Sequence, residues 1–178
     1  MTKRNDFIWK AIHTVCWIIF IAYLLQTGTL LVNFFIAILN PAATRNLHLG
    51  LDLSALYYKS GFLYDMVFVT IIIISGLKAY VFYLVIKIFS ALNLVKPFSG
   101  EVAELISKIT LFSFIIGAGS LIAQKVVAKL IEEGYEVVAV ERYWDDAGAY
   151  LMMSAILFVI TLIFRKGIEL QNENELTV

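Results

Sequence analysis

The sequence is poor in charged residues, in cysteine and in proline. Only 16% of its 178 residues are Asp, Glu, Lys or Arg, whereas roughly a quarter are charged in a typical soluble domain. The single cysteine, Cys16, excludes a disulfide within the chain. The formal net charge of +0 provides no basic excess for nucleic acid. Hydrophobic residues make up 61% of the chain, which predicts a protein solvated largely by lipid.

Four apolar segments are long enough, or nearly so, to cross a bilayer, which takes about 20 apolar residues in a helix. These spans cover residues 11–39, 66–89, 106–123 and 147–164. The remaining parts are outer segments 40–62 and 132–146, a cytoplasmic loop 93–105 and a cytoplasmic tail 165–178. The predicted fold is an all-α integral membrane protein, a four-helix transmembrane bundle forming one membrane domain over residues 1–178.

Basic residues are more frequent on the side of the membrane that would carry both termini. That side holds Lys3, Arg4, Lys10, Lys87, Lys96, Lys108, Arg165 and Lys166, and the other holds Arg45, Lys59, Lys125, Lys129 and Arg142. Because Lys and Arg are enriched in cytoplasmic loops, this modest bias predicts that both termini are cytoplasmic.

The two outer segments have strand-like patterns. In "NLHLGLDLSALYY", leucines at every second position from Leu47 to Leu53 alternate with other residues, the period of a half-buried strand. The stretch "YEVVAVERYW" is rich in β-branched and aromatic residues. Pairing of the two segments would give a small extracytoplasmic β cap; the alternative is an irregular loop in each.

Lys78 lies near the middle of the second span, within "IIIISGLKAYVF". An ionisable residue inside a span is a functional candidate by default. Gln26 and Asn33, on one face of the first span, complete a candidate intramembrane polar site. No carboxylate lies in an apolar core, so an ion pair within the chain is not expected unless Asp65 reaches down. Lys78 would therefore line a polar path, or serve structurally in a wet crevice or against a second subunit.

Catalytic and metal-binding patterns are missing from the sequence. It contains no Gly-rich phosphate loop, no H-E-x-x-H and no G-x-S-x-G. The predicted topology places His13 and His48 on opposite sides of the bilayer. The acids Asp145 and Asp146 do not fit a calcium loop and are expected to be solvated. We therefore expect no enzymatic activity, no cofactor and no metal.

Local signals predict how the third span is built. Ser99 is a predicted N-cap for its helix, following Pro97, which disfavours helix at Lys96. Small residues four apart, Ser113 with Gly117 and Gly119 with Ala123, would allow neighbouring helices to approach closely. The third span is therefore predicted to lie centrally in the bundle.

Two motifs near the cytoplasmic side resemble a known family. "KPFSGEVAELI" precedes the third span, and "IFRKGIELQNENELTV" closes the chain. They resemble motifs of the DUF2975 family, small bacterial membrane proteins with four predicted spans and no established activity. The matching residues are Pro97, Phe98, Ser99, Gly167, Leu170, Gln171, Glu173, Glu175, Leu176, Thr177 and Val178. The resemblance implies the bacterial cytoplasmic membrane and, since some members are encoded beside helix-turn-helix regulators, a membrane partner in regulation.

Two functions remain open. The first is a non-enzymatic sensor or anchor in the lipid bilayer that binds a cytoplasmic regulatory protein and makes no direct contact with nucleic acid. Its candidate contact residues are Pro97, Phe98, Ser99, Gly167, Leu170, Gln171, Glu173 and Leu176. The alternative is a small transporter or channel component in which Lys78 lines a polar path, an arrangement that would require a homo-oligomer.

Overall fold

Four long helices dominate the computed structural model, which describes residues 3–92 and 98–176 and, of these, the side chains of residues 7–92 and 98–173. The long helices are α1 (Lys3–Leu39), α3 (Gly61–Ala91), α4 (Gly100–Glu132) and α5 (Ala147–Leu176), and a short helix, α2 (Ser54–Lys59), precedes α3. Short 3-10 turns cover Pro41–Arg45, His48–Gly50 and Val138–Tyr143. Helices α1, α3, α4 and α5 are long and apolar enough to cross a membrane, so the chain is a multi-pass membrane protein.

Serine side chains fix where two of the long helices begin. The hydroxyl of Ser60 accepts a hydrogen bond from the Leu63 amide at 3.4 Å, at the start of α3. The hydroxyl of Ser99 accepts from the Val102 amide at 3.3 Å, at the start of α4. Each bond satisfies one of the amide groups that a helix leaves free in its first turn. The predicted N-cap at Ser99 is confirmed.

The long helices pack in chain order, α1 against α3, α3 against α4 and α4 against α5. The closest approach of α4 and α5 is at Gly117, where a Cβ would lie 2.6 Å from Cγ of Leu151. Across the same interface, the Ser154 hydroxyl donates to the Thr110 carbonyl at 3.0 Å. Helix α4 thus has a neighbour on both sides, in agreement with the predicted central position of the third span.

Aromatic side chains line the interface between α1 and α3. The ring pairs and their centroid distances are Phe34–Phe68 at 5.7 Å, Tyr23–Phe82 at 5.9 Å and Trp9–Phe89 at 4.5 Å. These contacts run along most of both helices, so α1 is held at the edge of the bundle by large apolar surfaces.

The predicted β cap is wrong: within residues 3–92 and 98–176 no strand forms. The alternating leucines belong to a turn, in which the Leu47 amide donates to the Leu51 carbonyl at 2.8 Å. Leu49, at the tip, has a φ of 54° and is exposed, whereas Leu47 and Leu51 are buried. Leu47 and Leu51 are both buried because the chain reverses direction at Leu49, and not because the segment is an extended strand.

The two outer segments nevertheless meet, through side chains and without strand pairing. Arg142 donates to the carbonyls of His48 at 3.0 Å and Leu49 at 3.3 Å. The ammonium of Lys59 lies 3.9 Å from the ring centroid of Tyr135. We call this end of the bundle, formed by residues 40–60 and 133–146, the loop end, and the opposite end, which carries Phe98, the tail end.

Candidate functional site

Lys78 forms a buried ion pair with Asp146. Its ammonium donates to both carboxylate oxygens of Asp146, at 2.8 and 2.7 Å, and to the Tyr143 carbonyl at 2.9 Å. Side chains of a helix tilt toward its N-terminus, and the N-terminus of α3 lies at the loop end. The lysine therefore extends from the interior of α3 to the loop end and meets the first residues before α5.

The surroundings of the ion pair suit both charges. Asp146 directly precedes α5, and its carbonyl accepts from the Tyr150 amide at 3.2 Å, which places the carboxylate at the positive end of that helix. The ammonium of Lys78 lies 5.5 Å from the Tyr150 ring centroid. The side chain of Lys78 is 5% exposed, whereas that of Asp146 is 32% exposed. The lysine is thus the buried partner, and the aspartate joins it to the surface.

The expectation that no carboxylate would pair with Lys78 is wrong. The two residues are 68 positions apart, and Asp146 stands in an outer segment where acids are usually solvated. The folding of the 3-10 turn Val138–Tyr143 onto the bundle brings Asp146 to the lysine. The length of the lysine side chain, snorkelling toward the loop end, closes the remaining distance.

Gln26, Thr27 and Thr29 of α1 form hydrogen bonds with partners other than Lys78. The Gln26 amide donates to the hydroxyl of Ser75 on α3 at 3.2 Å, and joins the two helices. Thr27 and Thr29 donate to carbonyls one turn back in their own helix. Asn33 is half-buried and lies seven residues further toward the loop end. Gln26 thus meets α3 at Ser75, three residues before Lys78, and the lysine has different hydrogen-bond partners.

Four of the candidate cytoplasmic contact residues come together at the tail end. The Phe98 ring packs on Gly167, where a Cβ would lie 2.5 Å from Cδ1 of the ring. The same ring contacts Phe164, with centroids 5.3 Å apart. We call the surface formed by Phe98, Gly167, Leu170 and Gln171 the tail face, since these residues border one shallow groove.

Other predicted contact residues lie beside the tail face or beyond what the structure describes. Glu173 is exposed in the last turns of α5, and Ser99 is used as the cap of α4. Pro97 and the last two residues of the chain lie outside the described residues, as does the side chain of Leu176, although its backbone ends α5.

The histidines lie toward opposite ends of the bundle, His13 in the first half of α1 and His48 in the 3-10 turn at the loop end. His13 stacks on Phe89 at 5.1 Å and accepts from the Trp17 indole at 3.1 Å. At His48, burial lowers the pKa of the imidazole below its usual value, and the positive charge of Arg142 lowers it further. Among residues 3–92 and 98–176, no group of three His, Cys, Asp or Glu side chains is placed to hold a metal ion.

Comparison with known proteins gives one family and no individual relative. Residues 48–178 match the family model described as "Protein of unknown function (DUF2975)". The match covers the second, third and fourth spans and the tail, including both motifs that meet at the tail face. No curated protein and no solved structure matches the chain significantly.

Proposed function

The chain belongs to the DUF2975 family, whose function is unknown, and we propose that it is a non-enzymatic membrane protein that works through interactions. In this proposal it is a sensor or anchor, and the tail face binds a cytoplasmic regulatory protein. The excess of Lys and Arg near the tail end supports a cytoplasmic location for that end. The membrane would be the bacterial cytoplasmic membrane, with both termini inside.

The observation that carries the proposal is the packing of Phe98 on Gly167. The two residues belong to separate family motifs and are 69 positions apart in the sequence. Their contact fastens the segment before α4 to the final turns of α5 and gives the tail face a defined shape. A surface that is already ordered loses little conformational entropy when a partner binds.

In this proposal the tail face lies beyond the hydrocarbon region, and it exposes apolar side chains there. Leu170 is 50% exposed and Phe98 is 36% exposed. Leu170 is five residues past Arg165, about 7.5 Å along the helix axis at 1.5 Å per residue. Exposed apolar side chains close together outside the hydrocarbon region are typical of a protein contact surface.

The ion pair of Lys78 supports an interaction function over a transporter or channel. A lysine that lines an ion path faces a water-filled cavity. Here the ammonium has a carboxylate and a carbonyl as partners and is 4% exposed. This environment fits a structural role in fastening α3 to the start of α5.

The experiment compares the variants Leu170→Glu and Asn172→Glu with the unmodified chain. Both place a new carboxylate on the exposed tail, but Asn172 is about 200° around the helix from Leu170. Each protein is purified from its native host in mild detergent, and the co-purifying proteins are quantified by mass spectrometry. We expect one soluble protein to be retained by the unmodified chain and Asn172→Glu and lost with Leu170→Glu. Equal retention by both variants would contradict the proposal.

A further inference from the structure

We propose that a cavity between α3, α4 and α5 binds a lipid alcohol, an uncharged molecule with a long apolar chain whose hydroxyl donates a hydrogen bond to the carboxylate of Asp146. The cavity has a volume of about 500 Å³, within the usual range for sites that bind small molecules. It is separate from the tail face and does not depend on the function proposed for that surface.

The ion pair of Lys78 and Asp146 closes one end of this cavity. Asp146 is itself part of the wall, and the other wall residues of α5 follow it at helical spacing, 3, 4, 7 and 11 positions later. The wall residues of α3 follow Lys78 in the same way, 3, 4, 7 and 10 positions later. Both charged residues therefore lie on the helix faces that border the cavity, at its end nearest the loop end.

The hydrogen bonds of the ion pair restrict the polar group of the ligand. An ammonium has three N–H groups, and that of Lys78 donates to both oxygens of Asp146 and to the Tyr143 carbonyl. Lys78 therefore has no N–H left for a ligand. An ionised carboxylate can accept about four hydrogen bonds, of which Lys78 provides two, and the side chain of Asp146 is 32% exposed. A ligand at this end must therefore offer a donor rather than an acceptor.

The rest of the wall requires an apolar ligand. The hydroxyl of Tyr150, the second polar wall residue, is hydrogen-bonded to Tyr23 of α1. The other wall residues are apolar, among them Val85 of α3, Ile109 of α4 and Met153 of α5. The cavity thus combines one carboxylate at its end with apolar surface along its length.

The charge at the end of the cavity favours an uncharged donor. Lys78 already compensates Asp146, so an ammonium group on the ligand would place a second positive charge beside a buried one. A hydroxyl donates the same hydrogen bond without adding charge.

The cavity is long enough for an extended chain and is open to one. Asp146 and Leu157, at its two ends on α5, are 11 positions apart, which is about 16 Å along a helix axis. Ala149, in the wall close to Asp146, is exposed at the surface of the bundle. A lipid alcohol can therefore enter from the bilayer, with its chain along α5 and its hydroxyl at Asp146.

The test uses the full chain in phosphatidylcholine nanodiscs with three photoactivatable probes: a hexadecanol that carries a diazirine in its chain, the methyl ether of this alcohol and the corresponding amine. The ether has no donor, and the amine carries a charge. Labelling is mapped by mass spectrometry and normalised to residues 31–39 of α1, which do not border the cavity. We expect the alcohol to label residues 81–88 and 149–157 about tenfold more than the ether, the effect of one hydrogen bond to a charged group, and more than the amine.

A matched pair of variants locates the site. Ala149→Phe and Ala155→Phe each enlarge an exposed alanine of α5, but only Ala149 borders the cavity. We expect Ala149→Phe to reduce labelling of residues 81–88 by the alcohol about fivefold or more, the effect of overpacking, and Ala155→Phe to leave it unchanged. The double variant Lys78→Met with Asp146→Leu leaves neither charge of the pair, and in it the alcohol should lose its advantage over the ether.

Equal labelling by the alcohol and the ether in the unmodified protein would overturn the proposal, and this comparison does not depend on any variant folding. Stronger labelling by the amine would also overturn it, because the ligand would then be a cationic amphiphile. The proposal fails as well if the preference for the alcohol persists in the double variant, or if Ala149→Phe and Ala155→Phe have the same effect.

Discussion

Lys78 and Asp146 join the interior of α3 to the residue directly before α5 through two hydrogen bonds, at 2.8 and 2.7 Å. Helices α1, α3, α4 and α5 pack in chain order, so this pair connects elements that are not consecutive neighbours. It also holds the 3-10 turn Val138–Tyr143 in place, because the Tyr143 carbonyl accepts from the same ammonium. This ion pair thus links the apolar bundle to the loop end.

The unequal burial of the two charges predicts unequal effects of removing them. Asp146→Asn leaves a buried ammonium without a counter-charge and should destabilise the protein by about 3 kcal/mol. Lys78→Met leaves a carboxylate that is already 32% exposed, so we expect a loss of about 1 kcal/mol. Thermal unfolding in detergent micelles measures both.

The double variant Lys78→Met with Asp146→Asn is the control for this prediction. It leaves no uncompensated charge, so it should be more stable than Asp146→Asn alone. If Lys78→Met proved the more damaging of the single variants, the assignment of the lysine as the buried partner would be contradicted.

Gly117 should tolerate no side chain, because α4 and α5 touch there. A Cβ would lie 2.6 Å from Cγ and 3.0 Å from the backbone nitrogen of Leu151. We expect Gly117→Ala to destabilise the protein by about 1–3 kcal/mol, the usual cost of overpacking. The matched change Gly119→Ala, in the same helix but in an open position, should cost nothing. The measurement is the thermal unfolding midpoint of each variant. Equal midpoints for Gly117→Ala and Gly119→Ala would contradict this prediction.

The lowered pKa of His48 predicts a pH-dependent stability. The folded protein holds the imidazole neutral more strongly than the unfolded chain, whose histidine has a pKa of about 6.5. The unfolded state therefore binds a proton first, and stability falls as the pH drops below about 6.5, reaching a plateau below the folded pKa. Unfolding midpoints measured between about pH 5 and pH 8 should show this loss, and His48→Gln should remove it.

Arg142 provides a separate check on the same histidine. Its positive charge contributes to the lowered pKa of His48, although burial is the larger cause. Arg142→Gln should therefore raise the pKa of His48 part of the way toward its usual value, as followed by NMR titration of the imidazole. A full return to the usual value would show that burial contributes nothing.

Gly167 should be needed for the shape of the tail face. In Gly167→Ala the new methyl group would overlap the Phe98 ring, with its nearest atoms at 2.5, 2.7 and 2.8 Å. Because the ring is the far end of a flexible side chain, we expect it to move aside at a cost of about 1 kcal/mol. Amide hydrogen exchange in residues 98–105 should become faster.

Gly148→Ala is the control for the tail face, since it lies in the same helix and its Cβ would meet no described atom within 4 Å. It should leave hydrogen exchange in residues 98–105 unchanged. Equal exchange rates in the two variants would mean that Phe98 does not depend on Gly167.

Patterns that depend on nearby residues were predicted well. The length and apolarity of the four spans determine helices in any fold, because only helices satisfy their own backbone hydrogen bonds in lipid. The serine cap at Ser99 and the close approach at Gly117 follow from local chemistry. The tail motif meets Phe98 because the lengths of the helices bring both segments to one end of the bundle.

Patterns that depend on distant residues were predicted less well. Alternating leucines are compatible with a strand and with a turn that buries both of its arms, and the left-handed φ of Leu49 selects the turn. The indole of Trp144 has no hydrogen-bond partner within the described part of the chain. The sequence gives no sign of this, since an interfacial tryptophan normally has water or lipid beside it.

The sequence alone determined that this chain is a bundle of four membrane-crossing helices with an apolar exterior, because composition and segment length set how a chain can satisfy its backbone in lipid. Tertiary structure decided which charged side chains pair and which surfaces form. Asp146 reaches Lys78, and Phe98 reaches Gly167, only once the helices have packed. Hydrogen bonds and ring contacts act over a few ångströms, so residues 68 or 69 positions apart meet only in the folded chain.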